Sequence, residues 1–238
     1  MVQIRVWDAP LRLFHWLLVL AVAAAFVSGE IGGNLMEWHG RGGLFILGLI
    51  VFRLAWGLVG STHARFGNFL PTPARLRAYL KGEWRGVGHN PLGALSVFGL
   101  LALLLLQGAT GLFSNDDIAF HGPLARLVSD ELGDRLSGIH HLGATLLMLL
   151  VALHVAAIAF YTRVRKDNLL RPMITGLKEV PAEQVAGLEA SRGGHLAAFL
   201  VAAALAIATV WFIGSGRFAN WVAPQPSAAS LPAPPPAW

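Results

Sequence analysis

IHHLGATLLMLLVALHV, at residues 139–155, is an apolar segment with a histidine near each end. His140 and His154 are fourteen residues apart, close to four α-helical turns, so both side chains lie on one face, about 21 Å apart along the axis. His141 falls on a different face. Ionisable side chains are costly in a membrane helix and usually face the bundle interior. The segment therefore predicts a membrane-spanning helix that presents one imidazole near each side of the bilayer.

The composition of the whole chain also indicates a membrane protein. Of its 238 residues, 55% are hydrophobic and only 13% are charged, and the mean hydropathy is +0.59. A soluble domain of this length is far less apolar. The chain has no cysteine, which excludes disulfides, iron–sulfur clusters, thiolate ligation and covalently attached haem. Any haem must therefore be held non-covalently by histidine or methionine.

Five segments of this chain are long enough to cross about 30 Å of hydrocarbon. Arginine and lysine concentrate before the first segment, between the second and third, and between the fourth and fifth. By the positive-inside rule, the N-terminus is cytoplasmic and the C-terminus is periplasmic. We therefore expect an all-α, multi-pass helix bundle in the bacterial inner membrane, in contact with lipid and with no nucleic acid partner. The predicted spans are Leu13–Gly29, His39–Val59, Leu92–Phe113, Ile139–Tyr161 and His195–Gly214.

The histidines of the first, second and fourth spans are predicted to form two pairs. His15 opens the first span on the cytoplasmic side, at the level of His154, whereas His39 opens the second span on the outer side, at the level of His140. Two imidazoles from facing helices are what a haem iron requires in a helix bundle. We therefore predict two non-covalent haem b groups, one ligated by His15 and His154 and the other by His39 and His140.

Arg53 is a charged residue at a position that the pattern predicts to be inside the bundle. It lies fourteen residues after His39, on the same helix face but near the cytoplasmic level. We predict that it binds a propionate of the inner haem. The alternative is an arginine that extends to the inner surface. His63 and His89, in the basic inner link, are interpreted as interfacial or capping groups, and Gly40, Gly42, Gly43, Gly138 and Gly143 as small residues that permit close approach.

Several motifs lie in or beside the predicted spans: Trp-Asp-x-Pro followed by Arg-Leu-Phe-His15-Trp, Phe-Arg53-Leu-x-Trp-Gly, Ala64-Arg65-Phe66, Gly88-His89-Asn90-Pro91-Leu92-Gly93, and the helix of His140 and His154. Together they resemble the bacterial cytochrome b561 and hydrogenase-type cytochrome b family over about residues 4–180. The resemblance implies a di-haem b bundle that exchanges electrons with membrane quinone and with a redox partner, commonly a periplasmic oxidoreductase or a soluble cytochrome c. It also implies that His15, His39, His140 and His154 are the ligands.

The predicted organisation has three parts. Residues 1–180 form a four-helix di-haem membrane domain, residues 181–216 contain the fifth transmembrane helix, and residues 217–238 form an outer tail rich in proline and alanine that we expect to be disordered. The expected function is an electron-transfer subunit of the oxidoreductase class. Three alternatives remain open: a superoxide:quinone oxidoreductase of the same fold, a histidine-lined metal or proton transporter, and a passive membrane anchor.

Overall fold

A computed structural model of the chain describes residues 1–115, 120–185 and 188–223. Among these residues, five helices are long and apolar enough to cross a membrane, which confirms the all-α membrane bundle. The five are α1 (Ala9–Ile31), α2 (Met36–Val59), α5 (Pro91–Gly111), α6 (Asp130–Arg163) and α8 (Leu196–Gly214). The shorter elements are β1 (Val2–Arg5), α3 (Phe66–Phe69), α4 (Pro73–Leu80), α7 (Leu170–Thr175), β2 (Leu177–Val180) and α9 (Arg217–Val222).

Side-chain caps mark the residues at which α1 and α5 begin. Asp8 Oδ1 accepts the Leu11 amide at 2.7 Å ahead of α1, and Asn90 Oδ1 accepts the Gly93 amide at 2.7 Å ahead of α5. Such caps satisfy amides that have no partner within the helix. Both helices also carry proline in the first turn, where its missing N–H costs nothing.

Helix α6 is longer than the sequence predicted. It begins at Asp130 rather than Ile139, because Ser129 caps it and the acidic pair Asp130 and Glu131 fills its first turn. Negative charge near a helix N-terminus is favourable. Asp130, Glu131 and Asp134 therefore form the polar start of the fourth membrane helix.

Helix α2 is at the centre of the bundle. It packs against α1, α5 and α8, while α6 packs along α5. Trp56 and Ile50 of α2 are completely buried. At Gly48 a side chain would come within 2.6 Å of Val210 on α8, so the fifth helix approaches α2 very closely. The division between residues 1–180 and 181–216 stays a prediction, but the fifth helix is packed on the core.

A small antiparallel sheet, which sequence reasoning did not find, ties the start of the chain to the segment after α6. Strand β1 pairs with β2, with Val2 opposite Val180. Gly176, which has a φ of 83°, turns the chain into β2, and its carbonyl oxygen accepts the Val6 amide at 2.8 Å. A positive φ of this kind favours glycine.

We predicted a disordered tail at residues 217–238, and the structure describes residues 217–223 of this segment. Arg217–Val222 is helix α9, and Arg126 holds it by donating to Asn220 Oδ1 at 2.6 Å and to the Ala223 carbonyl oxygen at 3.0 Å. The first six residues of the predicted tail are therefore helical, and the extent of the tail stays a prediction. Residues 224–238 lie outside the described residues.

We predict that Asp8→Ala destabilises the protein by about 1–3 kcal/mol, because it removes both a helix cap and the acceptor of a buried indole. Besides capping α1, Asp8 accepts the Trp56 Nε1–H at 3.0 Å through Oδ2. Thermal unfolding in detergent, followed by circular dichroism, measures the effect. The control is Thr72→Ala, which removes only the cap of the exposed helix α4. Equal losses of stability in the two variants would contradict the prediction.

Candidate functional site

The rings of His39 on α2 and His140 on α6 lie next to each other. Their centroids are 5.9 Å apart and their planes are nearly perpendicular, at 83°. At a metal–nitrogen distance of about 2 Å, two imidazoles on opposite sides of one metal ion have centroids about 6 Å apart. The separation of the outer pair therefore fits two axial ligands of a single iron.

The Nδ1 atoms of this outer pair are both hydrogen-bonded. His39 Nδ1 lies 2.8 Å from the Ala25 carbonyl oxygen, and His140 Nδ1 lies 3.0 Å from the Gln107 carbonyl oxygen. A carbonyl oxygen only accepts, so each Nδ1 carries the proton and donates it. The Nε2 atom of each ring is then unprotonated, with its lone pair free for a metal.

The predicted inner pair is His15 on α1 and His154 on α6, and a charge on either imidazole would be felt by the other. His154 Nδ1 lies 3.4 Å from the Ser96 hydroxyl on α5. His15 Nδ1 is buried and has no hydrogen-bond partner within the part of the chain that the structure describes. The inner pair is thus less firmly oriented by the protein than the outer pair.

Helix α5 contributes orienting groups that sequence reasoning missed. Thr110 Oγ1 lies 3.3 Å from His140 Nδ1, and Ser96 takes the corresponding position beside His154. Ser96 and Thr110 are fourteen residues apart, as are the two histidines. Because α5 and α6 are antiparallel neighbours, equal spacings place the two hydroxyls beside the two rings. This repeated spacing was a signal available in the sequence.

Two glycines that sequence reasoning missed give the outer rings their space. A Cβ atom at Gly29 would lie 2.9 Å from His39 Nδ1, and one at Gly111 would lie 2.9 Å from His140 Cε1. Distances this short force a neighbouring group to move. These two positions therefore require glycine if the rings are to stay where they are.

The glycines selected from the sequence play unequal roles. A Cβ atom at Gly143 would lie 2.3 Å from Gln107 Oε1, and one at Gly40 would lie 2.6 Å from Phe120. Gly42 makes only an ordinary contact, with Ala25, and Gly43 and Gly138 face open space. The prediction of close approach thus applies to two of these positions.

Arg53 is buried, with 2% of its surface exposed, so it does not extend to the inner surface. One guanidinium nitrogen donates to the Ala64 carbonyl oxygen at 3.1 Å, and the guanidinium carbon lies 4.4 Å from the centre of the Phe66 ring. A second guanidinium nitrogen, Nη2, is buried without a hydrogen-bond partner among the described residues. A buried charge of this kind needs an anion.

The arrangement suits a cofactor that brings most of its own metal ligands. Within the described ranges, no group of three or more His, Cys, Asp or Glu side chains is placed to hold a bare metal ion. The histidines instead come in facing pairs, and a porphyrin supplies the equatorial nitrogens between two axial imidazoles. The donor set, together with the buried cation of Arg53, therefore fits haem.

Comparisons with known proteins agree with this description. The family model "Prokaryotic cytochrome b561" matches residues 6–176. A "Probable Ni/Fe-hydrogenase B-type cytochrome subunit" of Azotobacter vinelandii is 27% identical over 218 residues, covering 73% of this chain and 87% of that protein. The protein of the same name from Cupriavidus necator is 26% identical over 222 residues, covering 73% and 86%. No solved structure matches the chain.

We predict that Gly111→Val disturbs the outer histidine pair, because the new side chain meets the His140 imidazole. The haem content of the purified protein, measured from its reduced absorbance, should fall. Gly99→Val is the matched control, since it lies on the same helix and a Cβ atom there has open space. Equal haem contents in the two variants would contradict the prediction.

Proposed function

The chain belongs to the prokaryotic cytochrome b561 family of membrane b-type cytochromes, and we propose that it holds two haem b groups. We propose further that it relays electrons between membrane quinone and a redox partner. The observation that carries the proposal is the outer pair, His39 and His140, with centroids 5.9 Å apart and each Nδ1 engaged by a backbone carbonyl oxygen. The pairing of His15 with His154 supports a second haem of the same kind.

Each group of the chain has a physical task in this proposal. When bound, haem supplies one-electron chemistry at its iron. The histidines bind the iron, and the carbonyl oxygens of Ala25 and Gln107 keep the outer rings in the tautomer that can do so. Arg53 favours negative charge near the inner pair, because a buried cation stabilises it strongly in a low dielectric.

The spacing along α6 explains why two haems are needed. Charge is costly in hydrocarbon, and the fourteen residues between His140 and His154 correspond to about 21 Å of helix. Two iron sites at these depths would divide the movement of an electron across the bilayer into shorter transfer steps. We propose that the inner pair faces the cytoplasm and the outer pair the periplasm, because the basic links lie on the side of the inner pair.

The relatives guide the choice of partner. They are named as hydrogenase B-type cytochrome subunits, so we propose that the partner is a Ni/Fe hydrogenase or a similar oxidoreductase docked on the periplasmic face. Asp130, Glu131 and Asp134 are exposed there, at the start of α6. They offer an acidic surface to a basic partner, although Glu131 is also paired with Arg135 at 2.6 Å.

We predict that His140→Ala and His154→Ala each remove one haem and that the double variant is colourless, because each loses an axial ligand of a different iron. His141→Ala is the matched control, since His141 neighbours His140 but is exposed. Pyridine-haemochrome quantification combined with redox titration measures haem type, number and potentials together. A double variant that keeps the full absorbance would exclude this ligand assignment.

We also predict that hydrogen gas reduces these haems in membranes that contain the cognate hydrogenase, and that the rate falls as ionic strength rises, since exposed charges are screened. Visible spectra recorded after hydrogen addition test this, with dithionite reduction as the measure of total haem. Reduction by superoxide but not by hydrogen would favour the superoxide:quinone oxidoreductase instead. Haems that quinol reduces and hydrogen does not would rule out a hydrogenase partner.

A further inference from the structure

His89 lies in the link between α4 and α5, at the inner end of the bundle, packed among aromatic rings. Its centroid is 4.5 Å from that of Trp7 and 4.4 Å from that of Phe69. These contacts fix the position of the imidazole and leave its two in-plane nitrogens as its polar groups. The cap of α5 is Asn90 and not His89, so the interpretation of His89 as a capping group is wrong.

The Nδ1 atom of His89 is buried and has no hydrogen-bond partner among the described residues. Burial lowers the pKa of His89 to about 3, and the charge of Arg53 contributes in the same direction. The imidazole is therefore neutral near pH 7, with one N–H to donate. A buried polar atom without a partner is unfavourable and suggests that the site receives a group the protein chain does not supply.

His89 and Arg53 border adjacent aromatic rings: Arg53 contacts Phe66 and His89 contacts Phe69, and the two rings have centroids 5.9 Å apart. The charges of Arg53, His15 and His154 act on His89. The Nη2 atom of Arg53 also lacks a partner within the described part of the chain. The carboxylate that interacts with Arg53 is that of Asp8. Both oxygens of Asp8 already accept hydrogen bonds, from the Leu11 amide and the Trp56 indole. Three buried nitrogens here therefore lack a partner among the described residues: Arg53 Nη2, His89 Nδ1 and His15 Nδ1. Because His15 is assigned to the iron, Arg53 and His89 are the groups left to bind an anion.

We propose that His89 and Arg53 together bind one carboxylate, and that this carboxylate is a propionate of the inner haem. The proposal rests on the proposed function, because it requires a haem between His15 and His154. A carboxylate has two oxygens, which match one donor from α2 and one from the link before α5. Hydrogen bonds between a cation and a carboxylate are among the strongest in proteins. His89 thereby becomes a cofactor-binding residue in addition to the four histidines and Arg53.

A carboxylate could also reach this site from solution. A cavity of about 300 Å³ borders His89 at the inner surface and is lined by His63, Asn68, Trp84 and Arg85 among others. Its basic residues would admit a small anion such as phosphate or acetate. The cofactor is the favoured source, because His89 interacts electrostatically with both proposed inner ligands, His15 and His154, and a haem held by them would keep its carboxylate in place permanently.

The test compares two variants of His89. His89→Phe removes the N–H donor but keeps an aromatic ring packed between Trp7 and Phe69, whereas His89→Gln keeps an N–H donor. In the purified holoprotein, His89→Phe should increase the rate of inner-haem transfer to apomyoglobin about tenfold. It should also lower the potential of that haem and shift the propionate bending band in resonance Raman spectra. His89→Gln should restore most of each property. The outer haem should not change.

His63→Gln is the matched control, because His63 lines the same cavity but its Nε2 already has a partner, the Glu189 carbonyl oxygen at 2.9 Å. This variant should behave like the unmodified protein. Arg53→Leu should shift the same Raman band as His89→Phe.

Three outcomes would overturn the inference. Unchanged haem transfer and an unchanged Raman band in His89→Phe would remove His89 from the site while leaving the two-haem proposal intact. Thermal stability that rises with phosphate or acetate in the unmodified protein but not in His89→Phe, without a Raman shift, would identify a free anion. Two haems retained in His15→Ala would instead refute the proposed function on which the inference rests.

Discussion

The hydrogen bond from a histidine Nδ1 to a helix carbonyl oxygen is the interaction on which the proposed site depends. An imidazole binds a metal through Nε2 only if the ring proton sits on Nδ1. The Ala25 and Gln107 carbonyl oxygens that accept these protons lie within α1 and α5, and a carbonyl oxygen has a second lone pair to offer. The tautomers of the outer pair are therefore fixed by the packing of helices against each other, and no loop is involved.

The same packing requires small residues at defined places. Gly29 and Gly111 leave room for the His39 and His140 rings, and Gly48 lets α8 approach α2. Inside a bilayer, water cannot satisfy a polar group that packing leaves exposed. Each buried donor must therefore find a partner in the protein or in a cofactor. The Nη2 atom of Arg53, which lies within α2 and has no partner among the described residues, gains its significance from this constraint.

The sequence predicts those parts of the molecule that follow from helical periodicity and from the cost of charge in lipid. The five spans, the shared face of His140 and His154 and the inward position of Arg53 are of this kind. It does not predict the Nδ1 partners or the role of His89, because these depend on which helices become neighbours. The paired spacing of Ser96 and Thr110 lies between the two cases: it is visible in the sequence and becomes meaningful once α5 and α6 are known to be adjacent. Strands β1 and β2 are too short to give a clear period.

Helix α8 lies outside the four-helix arrangement that the histidine pattern describes, but its contacts connect it to the site. Phe199 of α8 packs against Phe52 and Trp56 of α2, at centroid distances of 5.8 Å and 6.3 Å. With α1 and α5 on its other sides, α2 is the most enclosed of the described membrane helices. It carries His39 near one membrane face and Arg53 near the other. Because electrostatic interactions strengthen as water is excluded, the role proposed for Arg53 depends in part on this enclosure of α2 by the fifth helix.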